Sequence, residues 1–233
     1  MRITVFTSNQ LRHVALLEAL VAAGDTVQAV IEPKTSVLPT TGSMGEYWRR
    51  VTAAERQVFS ATDHRVRVPA LVLRPGELNQ VTLPESLFQA DRLLVFSASY
   101  IRDSLCARLI ARQTLNLHVG ISPEYRGSAP NFWALYHGRP ELVGAQVQRL
   151  SAGLDAGEIL AEVRAPLGGD PFVRGMEACR LGIAAMVGLV GKPPETWQPV
   201  RANDRSQQLH YSTHNQFSEE VVADYLKRLA ESS

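Results

Sequence analysis

Apolar and polar positions follow one another in blocks along this chain, and the period of each block names an element. Residues 2–7, RITVFT, form a β-rich run, and Thr7 or Ser8 stands where it would cap a following helix. Over residues 9–23, Leu11, Val14, Ala15, Leu17 and Leu20 recur at helical spacing until Gly24 stops them. Residues 25–31 read as a second strand. A loop at 33–45 precedes a helix at 46–59, and 65–73 is β-rich but interrupted by Pro69. One or two short helical turns fit 75–88; 91–96 is a strand, 103–111 a helix and 114–118 another strand. After Pro123, Tyr125 to Ser128 should turn into a helix reaching His137. Strands at 143–150 and 158–163 flank a loop, adjacent and antiparallel at a sheet edge. A helix from Asp170 or Pro171 to Val190, a tail of short strand and turn at 197–217, and a helix from Ser218 to about Ala230 complete the chain.

Apolar strands alternating with helices predict an α/β fold, a mostly parallel sheet whose functional residues lie beyond the strand carboxyl ends. The first turn reads TSNQLRH rather than G-x-G-x-x-G, which disfavours a nicotinamide cofactor there. Helix N–H groups at that turn still suit an anion; Asn9 and Gln10 add donors, and Arg12 and His13 add charge. An ordinary capped surface helix fits the same residues.

The polar residues that stand out lie between Leu115 and Leu160. Asn116 and His118 are two apart at a strand end, so their side chains share a face. Asp155 sits in the glycine-bounded turn Gly153-Leu154-Asp155-Ala156-Gly157. An amide, an imidazole and a carboxylate brought together would serve a ligand; equally, Asn116 and Asp155 can cap turns through their own backbone, and His118 alone can be structural.

Composition narrows the partners. A chain of 233 residues with 45% hydrophobic and 20% charged content holds one domain, with room for a small appendage. A net charge of +1 argues against a dedicated nucleic-acid binder. The first strand follows Met1 directly, leaving no room for a signal peptide, and no window holds 18 uncharged apolar residues, so a soluble cytoplasmic protein is expected. Cys106 and Cys179 read as buried small hydrophobes. His210 and His214 lack a third ligand nearby, so no metal site is expected.

These residues resemble the folate-dependent formyltransferase superfamily. Its N-x-H motif stands here as Asn116-Leu117-His118, followed by Gly120-Ile121-Ser122-Pro123, Tyr125-Arg126-Gly127 and Leu154-Asp155-Ala156-Gly157. The spacing of 39 residues from Asn116 to Asp155 also agrees. The opening Ser8-Asn9-Gln10-Leu11-Arg12-His13 and the aromatic Asn131-Phe132-Trp133 resemble the members that act on nucleotide-linked amino sugars; Ala129-Pro130 departs from their usual Gly-Thr.

The resemblance implies a Rossmann-like formyltransferase catalytic domain over residues 1–190, with a short C-terminal extension at 191–233 packing on the core or at a dimer interface. It implies N10-formyltetrahydrofolate as cosubstrate, no metal, and catalysis by Asn116, His118 and Asp155. The pterin would lie near Phe96, Ser97, Ala98, Ser99, Tyr100, Gly153 and Leu154. The acceptor would be a nucleotide-linked amino sugar, a small molecule and not nucleic acid or membrane. Ser8, Asn9, Gln10, Arg12, His13 and Arg126 are candidates to hold it, Tyr47 and Trp48 to stack on it, and Ser122 to line it. Tyr211, Phe217, Val221, Val222 and Tyr225 would either cover the sheet or form a homodimer surface, to which the analogy leans. Another small amine such as glycinamide ribonucleotide, release of formate to water, and a silent folate-binding subunit are the competing readings. Too few residues follow Val190 for the separate RNA-binding domain of the tRNA-formylating members.

Overall fold

Period-2 alternation in the central strands sends side chains to two opposite cores, and that places helices on both faces of one sheet. The computed structural model describes residues 1–34 and 38–231, so part of the loop expected at 33–45 lies outside the described residues. In chain order the elements are β1 (Arg2–Thr7), α1 (Leu11–Ala22), β2 (Thr26–Ile31), α2 (Gly42–Val58), β3 (Ala70–Val72), β4 (Arg92–Phe96), α3 (Asp103–Ala111), β5 (Leu115–His118), β6 (Tyr125–Gly127), α4 (Pro130–Tyr136), β7 (Gly144–Arg149), β8 (Ile159–Arg164), α5 (Pro171–Val190), β9 (His210–Ser212) and α6 (Glu219–Glu231).

The main sheet runs β3-β2-β1-β4-β5-β7-β8. Its first five strands are parallel and the last two antiparallel. The expected α/β fold, mostly parallel with helices on both faces, is therefore the one adopted. Ile3, Val5, Leu94, Phe96, Leu115 and Leu117 face the core that α1 and α5 cover. Phe6, Val30, Leu93 and Val95 face the opposite core, closed by Leu109 of α3 and by Leu87 and Phe88. The chain travels outward from β1 through β2 to β3, then returns to add β4 on the other side of β1. That reversal opens a crevice at the carboxyl ends of the strands. A third core joins α2, α4, α6 and the start of α5, where Tyr47, Phe132, Phe172 and Phe217 pack edge to face.

Gly182 lets α5 lie directly on the strands that carry the site: a Cβ there would fall 2.7 Å from the Ala145 Cβ of β7 and 2.9 Å from Leu117 Cδ1 of β5.

Several boundaries differ from the sequence expectation for identifiable reasons. Neither Thr7 nor Ser8 caps α1; Thr7 Oγ1 donates to the Phe96 carbonyl 2.9 Å away, and the cap is Gln10 in a reciprocal box with His13. Helix α2 starts earlier, at Gly42, because the Glu219 carboxylate of α6 accepts the Ser43 and Met44 N–H groups. That cap comes from 176 residues away and leaves no local signature. The stretch from Tyr125 is not a helix. Residues 125–127 form β6, parallel to β9, and the helix waits for Pro130 because Gly127 and Ala129 take positive φ angles of 89° and 51°. Pro130 at the first helical turn needs no N–H partner.

Residues after 190 pack back on the same chain. Trp197 is buried and donates to the Leu189 carbonyl at 3.1 Å, while Phe217, Val222 and Tyr225 enter the third core. Tyr211 stays 47% exposed. Among the described residues no helix is long and apolar enough to cross a membrane.

Helix α5 is capped by Asp170, whose carboxylate accepts from Phe172 and Val173 N–H at 2.8 and 3.0 Å. Asp170→Ala should cost about 1 kcal/mol, read as a lower urea midpoint with an unchanged denaturant slope.

Candidate active site

Strand β5 is short, and its two faces differ completely. Leu115 and Leu117 point into the apolar core, so Asn116 and His118 must point the other way, into a cavity of about 480 Å³. His118 is 8% exposed, and its Nδ1 lies 3.1 Å from Asp155 Oδ1. The second carboxylate oxygen accepts the Gly127 N–H at 3.3 Å. Asn116, His118 and Asp155 all line the cavity, so the structure brings the three residues together.

Burial by itself would raise the Asp155 pKa. The adjacent His118, its hydrogen bond, the Gly127 N–H and the Arg126 charge outweigh that and hold the carboxyl below the ordinary aspartate value. Asp155 therefore remains a carboxylate at neutral pH, and it fixes the imidazole with the Nδ1 proton toward itself. The remaining ring nitrogen, Nε2, is buried with no hydrogen-bond partner among the described residues. Gly120 makes room for it: a Cβ there would sit 2.7 Å from Nε2 and would strike Pro130. Asp155 has a φ of 47°, a left-handed conformation that a non-glycine residue holds only under constraint.

Ser97, Ala98, Ser99, Tyr100, Gly153 and Leu154 form one wall, with their peptide groups beside the carboxyl end of β4 and the Asp155 turn. Phe96 does not join them; it is fully buried in the core beneath β4, because alternation turns it away. At the other end stand Arg12, Lys34, Tyr47 and Trp48. Arg12 is already engaged, Nη1 lying 2.7 Å from Glu55 Oε1. Tyr47 is packed among aromatic rings, and burial raises its hydroxyl pKa, so it acts first as core.

The remaining candidates for the acceptor are elsewhere. Ser8 is fully buried, Asn9 accepts the Lys34 N–H, and Gln10 is committed to its cap and to Arg12. His13 is sealed under Phe96 with ring centroids 4.8 Å apart; burial, then Arg12 and Lys34, push its pKa well down, so it is neutral and supplies no charge for a phosphate. Ser122 is fully buried, its N–H donating to Gln146 Oε1 at 3.1 Å, and it lies off the cavity. Arg126 is turned inward, donating to the Leu154 carbonyl, and so braces the Asp155 turn rather than a ligand.

Two residues were missed by sequence reasoning. Lys34, just beyond the carboxyl end of β2, lines the cavity and makes no ion pair among the described residues; its strand-end position was the available signal. Gln148 lies on β7 opposite Asn116, 1% exposed, and donates to Gln146 at 2.8 Å. Two glutamines at alternate positions of a buried strand could have marked it. Cys179 also reaches the wall, but burial pushes its thiol up to about 12, so it is protonated and no nucleophile. Among the described residues no cluster of three or more His, Cys, Asp or Glu side chains could hold a metal.

Residues 79–170 match the family model described as formyl transferase. Two curated relatives are methionyl-tRNA formyltransferases. The one from Geobacter metallireducens is 28% identical over 121 residues, 52% of this chain and 35% of the relative. The one from Sorangium cellulosum is 36% identical over 81 residues, 35% of this chain and 26% of the relative. The chain thus matches between about a quarter and a third of the length of these curated proteins. Similar solved structures include a 4-N formyltransferase from Francisella tularensis, with a TM-score of 0.57 and 11% identity over 93% of this chain and 77% of that one. A sugar N-formyltransferase from a Shewanella species gives 0.57 and 13% over 93% and 78%. A phosphoribosylglycinamide formyltransferase from Anaplasma phagocytophilum gives 0.55 and 14% over 91% and 98%. The segment 79–170 is thus similar to the formyl transferase family model, and the chain shares its overall fold with these solved formyltransferase structures.

Because native His13 is neutral and the unfolded imidazole titrates near 6.5, the unfolded chain binds the extra proton as pH falls below about 6.5. Stability should fall on that side by up to about 1.4 kcal/mol per pH unit. His13→Asn should flatten this limb in urea titrations between about pH 6.5 and 5. A His13 variant with the wild-type slope would contradict the assignment.

Proposed function

We propose that this protein transfers a formyl group from N10-formyltetrahydrofolate to the amino group of a small anionic acceptor, best fitted by a nucleotide-linked amino sugar. The observation that carries this reading is the His118–Asp155 contact beside Asn116 at the crevice floor, within the segment that matches the formyl transferase model. The folate, when bound, supplies an activated formyl carbon on a nitrogen able to leave. The residues present fit such a group. The cavity, about 480 Å³, is within the range of small-molecule sites. Peptide groups line the wall beside it, and His118 presents an Nε2 with no partner among the described residues.

The residues divide the work by their geometry. The Asn116 amide can donate to the oxygen that gains negative charge as the amine adds. Asp155, kept ionised, accepts the Nδ1–H and orients the ring, so His118 Nε2 is the nitrogen that handles protons between the incoming and departing amines. Lys34, without an ion-pair partner among the described residues, offers a cation to an acceptor phosphate at the far end, where Arg12 is already bound by Glu55. Trp48 stands beside them with a face for a ring.

Purified protein incubated with N10-formyltetrahydrofolate and nucleoside diphosphate amino sugars should yield a product about 28 mass units heavier on the sugar nucleotide. His118→Ala and Asp155→Ala should each lower its rate about 100-fold or more. Release of formate with no amine consumed would favour a hydrolase, and no folate-dependent reaction with any amine would defeat the reading. In the same assay, Lys34→Met should raise the acceptor KM about tenfold with little change in kcat, the pattern of lost uniform binding; an unchanged KM would remove Lys34 from the acceptor site.

A further inference from the structure

The segment 200–212 reaches both halves of the active site without itself lining the cavity. Val200 N–H donates to the Ile159 carbonyl at 2.8 Å, so the chain runs beside the start of β8, next to the Asp155 turn. The Arg201 guanidinium then meets Glu124 and Glu162, each at 2.7 Å, and donates to the Ser122 carbonyl in the loop that follows His118. Two residues on, Asn203 Nδ2 donates to the carbonyls of Asp155 itself and of Gly157, at 3.0 and 2.9 Å. Further along, Ser212 of β9 is in register with Gly127, the residue whose N–H holds the Asp155 carboxylate.

These contacts address the two least self-supporting pieces of the site. Asp155 occupies the left-handed region, which a non-glycine residue keeps only where its surroundings hold it. Asn203 supplies that hold at the Asp155 carbonyl and again two residues later. On the His118 side, Gln146 grips Ser122 through both amide atoms and passes the constraint to Glu162 at 2.8 Å, which Arg201 anchors. Gln146 is itself the register partner of His118. One guanidinium and one amide, two residues apart, thus tie the two loops to a common edge.

We infer that residues 200–212 form a strap in which Arg201 and Asn203 are positioning residues for the His118–Asp155 pair, acting through the two loops and not on substrate. The inference rests on the formyl-transfer reading only for its kinetic readout. Asn203→Ala removes the donors to the Asp155 turn; Arg201→Lys keeps the charge but loses the planar fork needed for three acceptors at once. A misplacement of about 1 Å at a reacting pair can cost on the order of 100-fold. Each variant should therefore lose about tenfold or more in kcat, with KM for folate and amine within twofold of wild type and with unchanged near-ultraviolet circular dichroism. Independently of turnover, the hydrogen-bonded Nδ1 proton of His118, identified by its loss in Asp155→Ala, should be broadened or lost in Asn203→Ala. Wild-type kcat together with an unchanged imidazole proton in a folded Asn203→Ala would overturn the strap, as would a kcat loss that merely follows the unfolded fraction. A wild-type protein that formylates no amine would defeat the functional reading alone, and the imidazole proton would then decide the strap.

Discussion

A hydrogen bond between a buried imidazole and a buried carboxylate is stable only if both partners are held where neither can relax toward water, and the arrangement around His118 and Asp155 follows from that requirement. The imidazole comes from the end of a central strand, whose position the apolar cores on both faces leave no freedom to change. The carboxylate comes from a turn in an unfavourable backbone conformation, held by Gly127, Arg126 and Asn203 from three directions. Desolvation opposes the charge on Asp155, and the site resolves the opposition by surrounding it with donors. The result is an acceptor that stays ionised and a ring whose orientation is set in advance.

The sheet explains why the site opens where it does. Reversal of strand order between β1 and β4 leaves the carboxyl ends of β4 and β5 uncovered by a crossover. The antiparallel pair β7–β8 then returns the chain, and its connecting loop, which starts level with Leu115, carries Asp155 back to His118 at the end of β5. Gly182 brings α5 close enough to seal the apolar face beneath. The polar residues are left with only the cavity side to occupy.

The cluster of Tyr47, Phe132, Phe172, Phe217 and Tyr225 serves a different end. It fastens α2 and α6 to the body of the fold and walls the far side of the cavity. Edge-to-face packing at centroid distances of 4.8 to 6.3 Å gives this wall a defined shape. Glu219 links the same two helices by capping α2, so the C-terminal helix completes an element that starts near residue 42. The extension after residue 190 is accordingly continuous with the core in its packing, and Tyr211 is the residue among those considered for a surface that stays open.

Much of this was legible from residue order. The alternating apolar runs determined the strands, and the two-residue spacing of Asn116 and His118 determined that they share a face, because side-chain direction along a strand repeats every second residue. The glycines around Asp155 marked a turn built to present a side chain. Other features depend on partners distant in sequence and were decided only by tertiary structure. His13 and Arg126 have the chemistry of anion ligands, yet packing buries the first under Phe96 and turns the second onto the Leu154 carbonyl. Residues 125–127 look like the start of a helix and become a strand because β9, more than eighty residues later, pairs with them. Local pattern specifies which way a side chain points relative to its own backbone; what it meets there is set by which other segments the core brings alongside, and no local pattern contains that information.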